Sequence, residues 1–177
     1  SNFEKRDQTE NWFKYCHFEV SPFTTSVISN PAYMGTDEVV AGTYLRESGF
    51  NWSGLYIADG LQRTFDPYCN MWRRDAVYNS IRYCNTFLEK VWGVYNMTDA
   101  EKKLWVAEIK ALKAYYYFEL LRHYGPFVVM DENIDPGVPV EDMKKERSPV
   151  DVCVEEIVSL LDEAMKDLPL MKDKERS

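Results

Sequence analysis

The sequence predicts an all-α fold interrupted by long irregular loops, and three observations carry that expectation. Apolar residues recur at helical spacing in several stretches, and helix start and stop signals bracket those stretches. Two-residue alternation is missing except in a short stretch near Val128. One helical domain over residues 1–177 is expected, with short helices and irregular loops over 1–68 and three long helices over 69–168.

The first candidate helix is short, residues 7–19 (DQTENWFKYCHFE), with mixed periodicity. From Val20 to Tyr68 the chain holds Gly, Pro, Ser, Asn and aromatics without a sustained period, which reads as long loops and short helical turns. Loops of that length inside a domain tend to carry function. The next helix spans about Cys69 to Trp92, where Val77, Ile81, Cys84, Leu88 and Val91 mark one face. Asn85 on that helix is expected to tie it to a loop through backbone hydrogen bonds.

Thr98 and Glu101 then form a capping box that opens the longest helix, which runs to about His123 and ends at Gly125-Pro126. At 1.5 Å per residue it is roughly 39 Å long. One of its stripes is Leu104, Ala107, Ala111, Ala114, Phe118 and Leu121, and a second is Trp105, Ile109, Leu112, Tyr116 and Leu120. Lys103, Lys110, Lys113 and Tyr117 share the face expected to be more solvated. A helix apolar over more than half its circumference needs neighbours on two sides. The three alanines admit a second helix closely, as in tetratricopeptide-like stacks. Residues 127–147 read as an extended, proline-punctuated crossing. Ser148 as N-cap, Pro149 and Asp151 start the last helix, which Leu168-Pro169 closes.

Composition excludes several functions. Of 177 residues 45% are hydrophobic and 28% charged, so the chain is globular, and the formal charge of −8 leaves no basic stripe for nucleic acid. Four cysteines lack a CxxC pair and only His17 and His123 accompany them, which argues against a zinc site. No apolar run reaches the roughly 20 residues needed to cross a bilayer. The opening Ser-Asn, without Met, reads as a cleavage remnant on a piece of a longer protein.

No enzyme signature is present: no G-x-S-x-G elbow, no phosphate loop and no EF-hand pattern. Asp37-Glu38 is a carboxylate pair, but sequence neighbours point apart, and hydrolytic pairs need a defined separation. No catalytic residue, metal or cofactor is expected. Glu119 and Arg122 should pair at i,i+3, and Glu108 should find Arg82 or Arg73.

Binding is better supported. At 15% aromatic, the chain supplies flat surfaces, and the irregular segment sets Trp52, Tyr56, Tyr68 and Trp72 near Asn51, Asp59, Asn70 and Arg73. Sugar C–H faces lie on aromatic rings, while amide and guanidinium groups read hydroxyls. The expected ligand-binding residues are Asp37, Asn51, Trp52, Tyr56, Tyr68, Trp72 and Arg73.

Four ordered motifs add a resemblance. "AEIKALKAYYYFELLRHYGPF", "YNSIRYCNTFLEKV", "GTDEVV" and "ERSPVDVCVEEIVSLLDEAMKDLP" are similar to motifs of the SusD/RagB family, over about four-fifths of the chain. Lys113 stands where that pattern has Arg, and Gly125-Pro126-Phe127 replaces Gly-x-Val-Pro. The resemblance implies the N-terminal portion of an outer-membrane lipoprotein without enzymatic activity. Such a protein captures glycans or other nutrients for a SusC-type TonB-dependent transporter, and an N-terminal lipid anchor holds it at the cell surface. The alternative is a helical-repeat protein-interaction module with no ligand site of its own, and a helical glycoside hydrolase is a more distant one.

Overall fold

A computed structural model describes residues 3–17, 35–40, 42–44, 57–61, 63–65 and 77–170. The chain divides into two compact units, one formed by residues 1–17 and 77–177 and the other by residues 18–76. In the second unit the described residues include helical pieces at 43–44 and 57–58.

The first unit is all-helical among its described residues. Helix α1 is Arg6–Cys16, α2 is Val77–Lys90 followed by a 3-10 turn at Val91–Gly93, α3 is Asp99–Tyr124, and α4 is Val150–Met165. Helix α3 is the centre, packing on α4, α2 and α1, while α1 also packs on α2. Its start is the expected capping box: Thr98 Oγ1 accepts from the Glu101 N–H at 3.2 Å, and Glu101 Oε2 accepts from the Thr98 N–H at 2.9 Å. These bonds hold the Glu101 carboxyl below its usual range. Its end is Gly125 at φ 72°, whose N–H reaches the Leu121 carbonyl at 2.9 Å, a conformation that favours glycine.

The core is aromatic where α1 meets α2. Phe3 and Phe13 pack on Phe87 at 5.6 and 6.0 Å, and Trp12 packs on Tyr83 at 5.7 Å. Ile81, Cys84, Ile109, Tyr116 and Leu120 are fully buried beside them. Ala107 and Ala114 are buried as the close-packing seam requires.

Two assignments on α3 are corrected by the structure. Lys113 and Tyr117, expected on the solvated face, are buried, and Phe118, expected in the core, is 48% exposed. The reason lies outside the helix. Residues 127–130 run extended along it without a strand partner among the described residues. The Tyr117 hydroxyl accepts from the Met130 N–H at 2.9 Å and donates to the Met130 carbonyl at 3.0 Å. Tyr78 on α2 does the same for Val128, at 2.9 and 3.2 Å. Two phenols thus replace the neighbouring strand that an extended segment would otherwise need. Phe127 stacks on Tyr117 at 4.6 Å and 10°, sealing that side of α3.

The last helix starts one residue later than expected. Pro149 takes the N-cap position and makes no side-chain cap, while the Ser148 N–H goes to the Phe127 carbonyl at 2.9 Å. Cys153, Ile157, Leu160 and Ala164 face the core. Val150, Val154, Val158, Leu161 and Met165, on an adjacent stripe, remain exposed.

Candidate functional site

Of the expected ligand-binding residues the structure describes Asp37 alone, in an exposed turn at residues 35–38. Asn51, Trp52, Tyr56, Tyr68, Trp72 and Arg73 lie outside the described residues. The described clefts belong to the first unit.

The larger is an open groove of about 510 Å³ between α1 and α3, lined by Arg6, Glu10, Phe13, Lys14, His17, Trp105 and Glu108. Arg6, Glu10, Phe13 and Lys14 follow helical spacing along one strip of α1, and His17 at its C-cap continues that strip. The floor is aromatic: Phe13 lies 5.2 Å from Trp105, tilted by 41°, and 4.7 Å from the His17 ring. The Arg6 guanidinium lies 5.5 Å from the Trp105 ring centre, within cation–π range. Arg6 Nε is also 3.4 Å from Glu101, close enough for an ion pair, although Nε donates no aligned hydrogen bond.

Charge in the groove is balanced. Lys14 holds Glu10 at 2.9 Å and, by hydrogen bond and charge, keeps its carboxyl below the usual range. His17 Nδ1 donates to the Phe13 carbonyl at 2.8 Å, which leaves Nε2 as the acceptor of the neutral ring. Glu108 sits half-buried on the opposite wall and forms no ion pair with Arg82; Arg73, the other expected partner, lies outside the described residues. Arg82 instead lies over Tyr83, 6.0 Å from the ring centre. Two cations, two carboxylates and an apolar floor suit a neutral solute with a hydrophobic face more than an ion.

The second recess, about 210 Å³, is lined by Tyr78, Ile81, Arg82, Asn85, Met130, Asn133 and Ile134. Asn85 performs the expected tie, donating from Nδ2 to the Met130 carbonyl at 2.9 Å. Asn133 returns the tie, donating to Arg82 O at 3.2 Å and Thr86 Oγ1 at 2.9 Å. These bonds fix residues 130–134 to α2, while the buried Asn85 Oδ1 in the same recess makes no hydrogen bond. Glu119 pairs with Arg122 at 2.6 Å as its spacing predicts, with His123 Nδ1 at 3.6 Å.

The groove is not legible in the sequence, because Trp105 falls by spacing on an apolar stripe and residues 7–19 have only mixed periodicity. The available signal was the mixture itself, with charged and aromatic residues sharing one helical face. Among the described residues no group of His, Cys, Asp and Glu could hold a metal ion, and no helix is long and apolar enough to cross a membrane.

Solved structures align over nearly the whole chain. The protein BT4246 is 27% identical, with a TM-score of 0.73 over 95% of this chain and 27% of its own. A SusD-like protein from Bacteroides fragilis is 19% identical, with a TM-score of 0.72 over 97% of this chain and 32% of its own. A laminarin-binding SusD-like protein is 20% identical, with a TM-score of 0.73 over 94% of this chain and 35% of its own. The chain therefore spans about a quarter to a third of the length of these proteins. A comparison with curated protein sequences returns no match. A family model described as "Starch-binding associating with outer membrane" matches residues 28–176, and on that match the chain belongs to the SusD-like family.

Proposed function

We propose that the protein binds glycans at the outer surface of the cell and carries out no catalysis, delivering them to a SusC-type TonB-dependent transporter. An N-terminal lipid anchor would hold it at the membrane. The observation that carries the reading is membership, over residues 28–176, in a family described as starch-binding and associating with the outer membrane. Asp37, Asn51, Trp52, Tyr56, Tyr68, Trp72 and Arg73 supply the ligand contacts in this proposal, because that mixture of rings, amide and guanidinium matches sugar chemistry. The α1–α3 groove, with its aromatic floor and balanced charge, offers an additional place for a sugar ring.

The test is electrophoresis of the full chain through gels cast with soluble neutral polysaccharides, followed by calorimetry on any glycan that retards it. Retardation by at least one glycan, with affinity falling about tenfold in Trp52→Ala or Trp72→Ala, is the expected result; about 1.4 kcal/mol corresponds to that factor. No retardation by any glycan refutes the reading. One observation favours a protein-interaction module instead: the exposed stripe Val150, Val154, Val158, Leu161 and Met165 on α4. Loss of a co-purifying protein after charge substitution of that stripe, without any glycan binding, would select it.

A further inference from the structure

Cys16 and Cys84 are both free and fully buried, and each lies three residues from one ring of the Phe13–Phe87 contact, one turn on along α1 and one turn back along α2. Each sits where its helix meets the other. Around them α1 and α2 are locked by Trp12 and Tyr15 on Tyr83, at 5.7 and 5.9 Å, and by Phe13 on Phe87. The backbone at Cys16 is also fixed, since its carbonyl accepts the Tyr116 hydroxyl. Helices that pack at ordinary interaxial distances, about 8–10 Å, bring facing Cα atoms into the range a disulfide spans, roughly 4.4–6.8 Å. Cys153 is spent otherwise, its thiol bonded to the Phe127 and Ser148 carbonyls.

The position of the pair in the chain gives it a role. The first unit is left at His17 and re-entered at Val77, and the pair joins the helix before that excursion to the helix after it. We propose that Cys16 and Cys84 are an oxidation site, forming a disulfide that closes the 18–76 excursion where it leaves and re-enters the helical unit. The segment so closed carries every residue assigned above to glycan contact except Glu10, Arg6 and the other groove residues. In the reaction the two thiols lose two protons and two electrons and one Sγ–Sγ bond forms. The electrons reduce a disulfide oxidant to two thiols by way of a mixed disulfide. That oxidant is a protein dithiol oxidase in the export compartment, or oxidised glutathione in vitro. The cellular oxidant rests on the surface location proposed above; the pairing itself does not.

Burial sets the timing. Desolvation pushes the Cys84 thiol well above its usual range, so the folded, reduced chain holds almost no thiolate there. Oxidation therefore belongs to folding, before α1 docks. In the reduced native chain both thiols should resist glutathione for hours.

The test has two arms. The full chain is refolded from denaturant in a glutathione redox buffer, alkylated under denaturing conditions and mapped by peptide mass. A bond between Cys16 and Cys84, with Cys69 and Cys153 alkylated, is expected. Four alkylated cysteines, or a bond that uses Cys69, overturn the proposal. Reduction should lower the melting temperature by about 5–10 °C, given a closed loop of about 70 residues. Cys16→Ser and Cys84→Ser should each leave the other thiol alkylatable, and Cys153→Ser should leave the bond intact. In the second arm, protein isolated from the cell envelope is mapped in the same way. A bond formed on refolding but missing in the envelope sample supports the pairing and counts against the surface location.

Discussion

The two tyrosine clamps allow a prediction that isolates a single atom. Tyr117→Phe keeps the ring that stacks on Phe127 and removes only the hydroxyl, which both accepts from and donates to Met130. Tyr117 is fully buried and Met130 half-buried, so the freed N–H and C=O recover water only in part. Each lost bond is worth about 1 kcal/mol net, and an orphaned buried group costs about 1–3 kcal/mol. Taking two bonds and partial rehydration, the loss is about 2–3 kcal/mol. Urea titration followed by far-UV circular dichroism measures it as a lower midpoint at unchanged slope. Tyr78→Phe, whose hydroxyl clamps Val128, should cost a similar or smaller amount, because Tyr78 is only half-buried. The double variant should cost less than the two losses added, by about 0.5 kcal/mol or more, because releasing one clamp lets the segment peel from the other. A Tyr117→Phe loss below about 0.5 kcal/mol would refute the argument that these phenols replace a strand neighbour.

Further expectations concern charge and the exposed stripe. Burial raises the Tyr78 phenol to about 12 and pushes Tyr117 up as well, so stability should be fully present below the usual tyrosine range near 10 and fall as pH rises through 12. Spectroscopic base titration should show native tyrosines resisting ionisation until unfolding, a lag that the two Phe variants abolish. Lys113 is buried with its ammonium 5.5 Å from the Tyr117 ring centre, and desolvation lowers its pKa against the weaker pull of Glu156 and Asp131. Lys113→Met should therefore raise stability by about 1 kcal/mol in urea titration, and a loss would mean that the ammonium's attractions exceed its desolvation. Chain 1–177 should self-associate or bind a hydrophobic dye through the α4 stripe, and Val158→Glu with Leu161→Lys should reduce both in light scattering and fluorescence. A monomer that binds no dye before substitution would count against this.

Local signals were the most legible in the sequence. The Thr98–Glu101 box, the glycine stop at 125, the Asn85 tie and the Glu119–Arg122 pair depend on residues a few positions apart or on one backbone requirement, and the structure contains all four. What failed was the ranking of faces on α3. A helical wheel orders residues by their own polarity, so Lys113 and Tyr117 went outward and Phe118 inward. Which side is sealed is decided by residues 127–130, whose unmet backbone groups recruit the Tyr117 hydroxyl. The Ser148 cap failed because the helix begins one residue later, which puts Pro149 in the N-cap position. The groove escaped notice because it joins α1 to Trp105 across some ninety residues, a separation that no periodicity reaches.

The docking of α1 bears on the order in which the molecule is made. Its partners come late in the chain: Asn96 accepts from the Arg6 N–H at 2.6 Å, and Tyr116 bonds the Cys16 carbonyl from a hundred residues away. During synthesis α1 emerges before the 18–76 excursion and waits while all of it is produced. An eleven-residue helix is marginal alone in water, so its aromatic face stays unsatisfied through that interval. Such long-range closure slows folding and lengthens the time for which that face is exposed. A helix made before all three of its neighbours is thus among the last of the four to be set in place.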